Sequence, residues 1–191
     1  MTKIRTFIAI EIPEGIRQKI AELQDELRSL GGRVSWVKTE NIHLTLKFLG
    51  DTDASMINDI ASQLQRSVAA MAPFEVTVNG VGTFPNAKRP RVIWVGASSK
   101  PADQLKLLAA RIDAETSRFG FQKEDRPFSG HLTLGRVKDP RGIEPILDRL
   151  RAHENFYADA FTAKEFVIMK SELHPAGSIY TVLKTIPFGQ A

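Results

Sequence analysis

Two hydrophobic patterns alternate along this chain: short runs with every second residue apolar, and longer stretches with apolar positions every third or fourth residue. Arg5 to Glu11 has the first pattern and is expected to be a strand. Pro13 then marks a helix start, and Ile16, Ile20, Leu23, Leu27 and Leu30 form one helical stripe that Gly31-Gly32 closes. His43-Leu44-Thr45-Leu46 alternates again. Ile57, Ile60, Ala61, Leu64 and Val68 predict a second helix, and Phe74 to Phe84, with Val76, Val78 and Val81, a further strand.

The same order then returns. Arg91 to Gly96 is strand-like, Pro101 precedes a stripe of Leu105, Leu108, Ile112 and Phe119 ended by Gly120, and His131-Leu132-Thr133-Leu134 repeats the earlier tetrapeptide. Ile143, Ile146, Leu147 and Leu150 predict a shorter helix, and Phe161 to Leu173 reads as one strand. Corresponding landmarks lie 86 to 88 positions apart. The chain is therefore read as two β-α-β-α-β repeats, at approximately 5–84 and 91–173, with a closing strand at approximately 179–186. Neither repeat is long enough to bury a comfortable core alone, so the two are expected to pack as lobes of one domain spanning 1–191. Asn86-Ala87-Lys88-Arg89-Pro90 is a turn-rich, basic joint between them.

Composition narrows the function. With 42% hydrophobic and 25% charged residues, the 191-residue chain is ordinary globular material rather than a disordered one. It carries 26 basic against 22 acidic residues, a net charge of +4, which mildly favours anionic partners without suggesting a long duplex. It has no cysteine, which excludes disulfides, thiolate catalysis and cysteine-ligated metals. No apolar run approaches the length of a membrane span and no signal peptide is visible, so a cytoplasmic location without membrane attachment is expected.

In a strand, His43 and Thr45 point to one side and Leu44 and Leu46 to the other; the same holds for His131 and Thr133 against Leu132 and Leu134. If a pseudo-two-fold axis relates the repeats, two imidazoles and two hydroxyls meet across a cleft. Imidazoles near neutrality supply a general base and a general acid. Threonine hydroxyls can hold phosphate oxygens without adding charge. This inventory suits phosphodiester cleavage.

The motifs resemble those of the 2H phosphoesterase superfamily, in particular the RNA 2′,3′-cyclic phosphodiesterase (2′-5′ RNA ligase) family. The resemblance covers nearly the whole chain. It rests on Arg5-x-Phe7-Ile8-Ala9-Ile10, on His43 through Gly50, on Phe84-Pro85 with Pro90 through Gly96, on His131 through Val137, and on Ser171-x-Leu173-x-Pro175-x-Gly177-x-x-Tyr180. It implies an α+β fold with two pseudo-symmetric lobes and mainly antiparallel sheets flanking a central cleft. It also implies hydrolysis of 2′,3′-cyclic phosphates on RNA ends or nucleotides to 2′-phosphates, without metal or other cofactor, and in some members reversible 2′-5′ joining. No obligate protein partner is evident. His43 and His131 would be the acid-base pair and Thr45 and Thr133 the phosphate holders. His131 is taken as the base and His43 as the acid, although pseudo-symmetry leaves the reverse open.

Further residues follow from parity or resemblance. Strict alternation puts Arg136 on the leucine face, but a bulge at Gly135 could re-aim it to the phosphate, where the resemblance places an arginine. Lys47 shares the parity of His43 and Thr45 and could edge the cleft or end in solvent. Phe7 and Phe84 could stack on a base or belong to the core. Tyr180 could reach the ligand, on resemblance alone. His153 and His174 sit in polar loop or turn surroundings and are given no role. Four histidines without H-x-x-x-H or H-x-H spacing make a zinc site a poor reading. Two other functions fit the same motifs: a nucleotide-binding module without turnover, and an exonuclease trimming RNA 3′ ends.

Overall fold

The computed structural model describes residues 2–175 and 177–189. In chain order these form β1 (Lys3–Glu11), α1 (Glu14–Ser29), β2 (Arg33–Trp36), β3 (His43–Asp53), α2 (Ile57–Val68), β4 (Phe74–Phe84), β5 (Val92–Lys100), α3 (Gln104–Ser117), β6 (His131–Asp139), α4 (Glu144–Ala152), β7 (Tyr157–Ala163), β8 (Glu165–His174) and β9 (Gly177–Pro187). The helices lie where the apolar stripes predict them. In α1, for example, Ile16, Ile20, Leu23 and Leu27 are buried, and Pro13 stands at its N-terminus, where a missing N–H costs nothing.

The strands follow the order β7-β4-β5-β6-β3-β1-β8-β9, with β2 added to β6, and every pairing is antiparallel. The architecture is therefore α+β. At the centre, β3 and β6 touch through a single register pair, Leu44 opposite Leu132. Both leucines are fully buried. Two half-sheets thus meet at one seam, made by the two copies of the repeated tetrapeptide.

The repeats exchange strands instead of closing separately. Phe161 to Leu173, expected as one strand, is two: β7 pairs with β4 and, after Lys164, β8 pairs with β1. β4 belongs to the first repeat yet pairs with β5 of the second, and β2 crosses to β6. Chain entropy accounts for the β4-β5 pairing: strands joined by a short connection form a hairpin at the smallest loop-closure cost, wherever the repeat boundary falls.

One face of the sheet and all four helices share a core that includes Ile8, Ile10, Leu44, Val76, Ile93, Leu132, Leu134 and Ile168. Over β1 and β8 the opposite face carries a small separate cluster of Phe7, Ala9, Val167 and Met169, with Tyr180 packed against it. That second face is where the cleft opens. Truncating the seam at Leu132→Ala is expected to lower stability by about 3 kcal/mol, through lost transfer energy and a residual cavity. Urea unfolding of the variant against the parent protein measures this.

Candidate active site

The antiparallel register about Leu44 and Leu132 sets His43 alongside Thr133 and Thr45 alongside His131. Both histidines and both threonines are half-buried, whereas the four motif leucines are buried. Alternation in the two tetrapeptides therefore sorts the chemistry to one face and the packing to the other. His43, Thr45 and Thr133 line one part of the cleft; Thr45 and His131 line its continuation.

Each imidazole is held in the same way. Nδ1 of His43 lies 2.7 Å from the carbonyl oxygen of Asn41, and Nδ1 of His131 lies 2.8 Å from that of Ser129. A carbonyl only accepts, so both Nδ1 atoms carry the proton and donate it. This leaves both Nε2 atoms to take or give a proton. Burial pushes His43 down from 6.5 to about 4, partly opposed by its bond to Asn41 and assisted by the nearby His131. In the free protein at neutral pH, His43 is therefore an uncharged imidazole.

Two bulges bring further side chains to the site. The register of β3 against β1 slips after Thr45, which pairs with Ala9, so that Lys47 pairs with Ile8 and Phe48 with Phe7; Leu46 is the extra residue. In β6, Thr133 pairs with Trp94 and Gly135 with Ile93, so Leu134 is the extra residue at the equivalent place in the second motif. The buried amide of Gln24 donates to the carbonyl of Leu134, at 2.8 Å, and Val37 N–H donates to the same oxygen. Beyond the bulge, Arg136 is exposed and lines the cleft with Arg5, Lys38 and Lys138. The bulge that re-aims Arg136 thus centres on Leu134. Gly135 has a separate reason to be glycine, because a Cβ there would stand 2.6 Å from Val34 and 3.0 Å from Trp36 on β2.

The parity expected for Lys47 is corrected by the first bulge. Lys47 turns to the core side with Ile8 and is only 2% exposed. Its ammonium pairs with Asp113 on α3 and donates to the carbonyl of Gln122 at 2.8 Å. It still lines the cleft, as a buried clasp on the segment that leads to Ser129 and His131. Phe48, which alternation assigns to the leucine side, takes the cleft-facing position and is 60% exposed. Only the bulge exposes it, and the tetrapeptide alone carries no sign of that.

The remaining candidates frame the imidazoles. Phe7 stacks on His43 with ring centroids 4.7 Å apart, and Tyr180 stands edge-on to both, at 5.3 Å from His43 and 5.0 Å from Phe7. Phe84 stands edge-on to His131 at 4.9 Å and packs against Trp94. Phe7 is buried behind His43 but still lines that part of the cleft, as Tyr180 does; Phe84 is half-buried and lines its continuation. His174 also reaches the cleft margin, whereas His153 lies 3.0 Å from Glu26 on α1. Among the described residues no group of three or more His, Asp or Glu side chains is gathered to hold a metal, and no helix is long and apolar enough to cross a membrane.

Residues 10–94 and 95–180 each match the family model described as LigT like phosphoesterase. The RNA 2′,3′-cyclic phosphodiesterase of Methanothermobacter thermautotrophicus is 35% identical over 179 residues, covering 94% of this chain and 96% of that protein. The protein of the same name from Methanocaldococcus jannaschii is 37% identical over 181 residues, with coverage of 95% and 99%. Escherichia coli LigT complexed with 3′-AMP has a TM-score of 0.77 at 27% identity, covering 99% of this chain and all of that one. Fold and site together define a LigT-like phosphoesterase. More narrowly, the chain belongs to the RNA 2′,3′-cyclic phosphodiesterase family.

The folded protein disfavours protonated His43 while the unfolded chain does not. The stability this gives is complete above pH 6.5 and is lost as the pH falls towards about 4. Between pH 7 and 4.5 the parent protein is expected to lose about 2 kcal/mol more than His43→Gln, read from urea midpoints at both pH values. Lys47→Met leaves Asp113 without its cation and is expected to destabilise by about 3 kcal/mol, measured in the same way.

Proposed function

We propose that this protein hydrolyses 2′,3′-cyclic phosphates, on RNA ends or nucleotides, to 2′-phosphates by two-histidine acid-base catalysis. The observation that carries the reading is the matched pair of Nδ1-to-carbonyl bonds, which leaves an Nε2 free on each side of a seam bordered by two threonine hydroxyls. Nε2 of one imidazole takes a proton from water as its oxygen attacks phosphorus. The P–O3′ bond breaks, and Nε2 of the other imidazole protonates the leaving 3′ oxygen. Thr45 and Thr133 donate to the non-bridging oxygens, with the Arg136 guanidinium supplying charge where it accumulates. The reaction balances with one water consumed and one proton passed on.

In this mechanism the active form carries one proton between the two Nε2 atoms. The neutral state of free His43 supports the assignment that pseudo-symmetry leaves open, with His43 as base and His131 as acid. Support for the substrate class comes from the relatives: the archaeal proteins are named RNA 2′,3′-cyclic phosphodiesterases, and solved E. coli LigT complexes contain 3′-AMP and phosphate.

His43→Ala and His131→Ala are each expected to reduce turnover of 2′,3′-cyclic AMP at least a hundredfold, roughly the contribution of one acid or base, with the fold intact by circular dichroism. EDTA should leave the rate of the parent protein unchanged. Phosphorus NMR of the products with a cyclic-phosphate-ended oligonucleotide should show one ring opening to a 2′-phosphate. Stepwise shortening of the strand would establish an exonuclease, and binding without turnover a nucleotide-binding module. As the pH falls, kcat/KM should decline through about 4, where His43 of the free protein gains its proton.

A further inference from the structure

One polar side chain in the core is left unexplained by the chemistry at phosphorus. Gln24 lies on the apolar stripe of α1, between Ile20 and Leu27, and is only 1% exposed. A buried amide costs stability unless its donors and acceptor are met. Here Nε2 donates to the carbonyl oxygens of Val37, at 2.7 Å, and Leu134, at 2.8 Å, and Oε1 accepts from the Arg28 guanidinium at 3.5 Å. Both amide hydrogens are thus directed at main-chain oxygens beside the second motif.

Those two oxygens lie at a step in the sheet. One edge of β6 passes there from one neighbour to another: Trp36 of β2 stands opposite Gly135, and Leu44 of β3 opposite Leu132. On its other edge Thr133 and Gly135 pair with the successive residues Trp94 and Ile93 of β5, which leaves Leu134 as the extra residue. The Gln24 amide reaches this step from the helix and, with the N–H of Val37, satisfies the carbonyl of that extra residue.

The bulge decides where Arg136 points, because strict alternation without it returns the side chain to the leucine face. Arg136 shares its part of the cleft with Arg5, Lys38 and Lys138. Like charges repel, so its direction has to come from the backbone. Sliding β6 into regular pairing would carry the Leu134 carbonyl away from Gln24 and leave a buried amide unmet. Gln24 therefore favours the bulged register over the regular one.

We propose that Gln24 is a positioning residue for the reaction, holding the Leu134 bulge from the core side and so keeping the Arg136 guanidinium at the phosphate. The proposal rests on the reading that the protein hydrolyses cyclic phosphates with Arg136 at the developing charge. It adds that a helix residue on the opposite side of the sheet from the cleft sets the reach of that arginine.

A double-mutant cycle in steady-state turnover of 2′,3′-cyclic AMP tests this. Gln24→Met keeps the length of the side chain and removes both donors; it should lower kcat about tenfold, with the fold intact by circular dichroism. Arg136→Ala should lower kcat about a hundredfold, the scale of losing one donor to developing charge. In the Arg136→Ala background Gln24→Met should cost no more than about twofold, because the arginine it positions is gone. Gln24→Asn keeps the amide but stops one bond short of both carbonyls, and it gives the same non-additivity should Gln24→Met not fold. A tenfold loss that persists beside Arg136→Ala, or parent-like kcat in Gln24→Met or in Gln24→Asn standing in for it, would overturn the positioning role and leave the hydrolytic reading in place. Parent-like kcat in Arg136→Ala would remove the arginine from the reaction and the role of Gln24 with it. A parent protein without turnover would overturn the activity and this role together.

Discussion

The contact of Leu44 with Leu132 is the constraint on which the rest of the molecule depends. One register pair joins two half-sheets, and because it is antiparallel it crosses each motif histidine with the other motif's threonine. The leucines are buried from one side by the shared core, so the polar halves of both tetrapeptides have no place to go except the opposite face. Packing energy and the placement of the imidazoles are thus two faces of one pair of strands. A change that loosens the seam separates the imidazoles at the same time.

Around that seam the two motifs are treated alike up to a point. Both carry an Nδ1 bond to the carbonyl two residues earlier, and both are followed by a bulge at the fourth motif position. The side chain that each bulge turns to the cleft differs: Phe48 after the first and Arg136 after the second. Pseudo-symmetry therefore supplies two imidazoles held alike, while its breaking places an aromatic ring on one side and a guanidinium on the other.

The helices were legible because an apolar stripe at helical spacing is local information, and the histidine-threonine pairs because a repeated tetrapeptide is visible without any structure. Strand pairing was less accessible. Lys164 separates β7 from β8 between two ordinary strand residues, Ala163 and Glu165, and no glycine or proline marks the crossing. The four residues of β2 are too few to show a period. Counting alternate positions put Lys47 on the face of His43 and Thr45, and gave no reason to expect Phe48 there instead, because an extra residue in a strand reverses parity for everything that follows it. At Arg136 the neighbouring glycine hinted at a bulge; at Leu46 nothing in the sequence did.

The anchoring of the two imidazoles has a consequence for how this protein can vary over time. In many enzymes a histidine is oriented by a carboxylate side chain, which a single substitution can erase. Here the acceptors are the main-chain oxygens of Asn41 and Ser129, which every amino acid possesses. The acceptor oxygens themselves do not depend on those side chains, although the Asn41 amide also fixes its segment by donating to the Ser178 carbonyl of β9 at 2.7 Å. Tautomer choice is stored in the path of the backbone just before each motif strand, and drift reaches it only by moving that backbone.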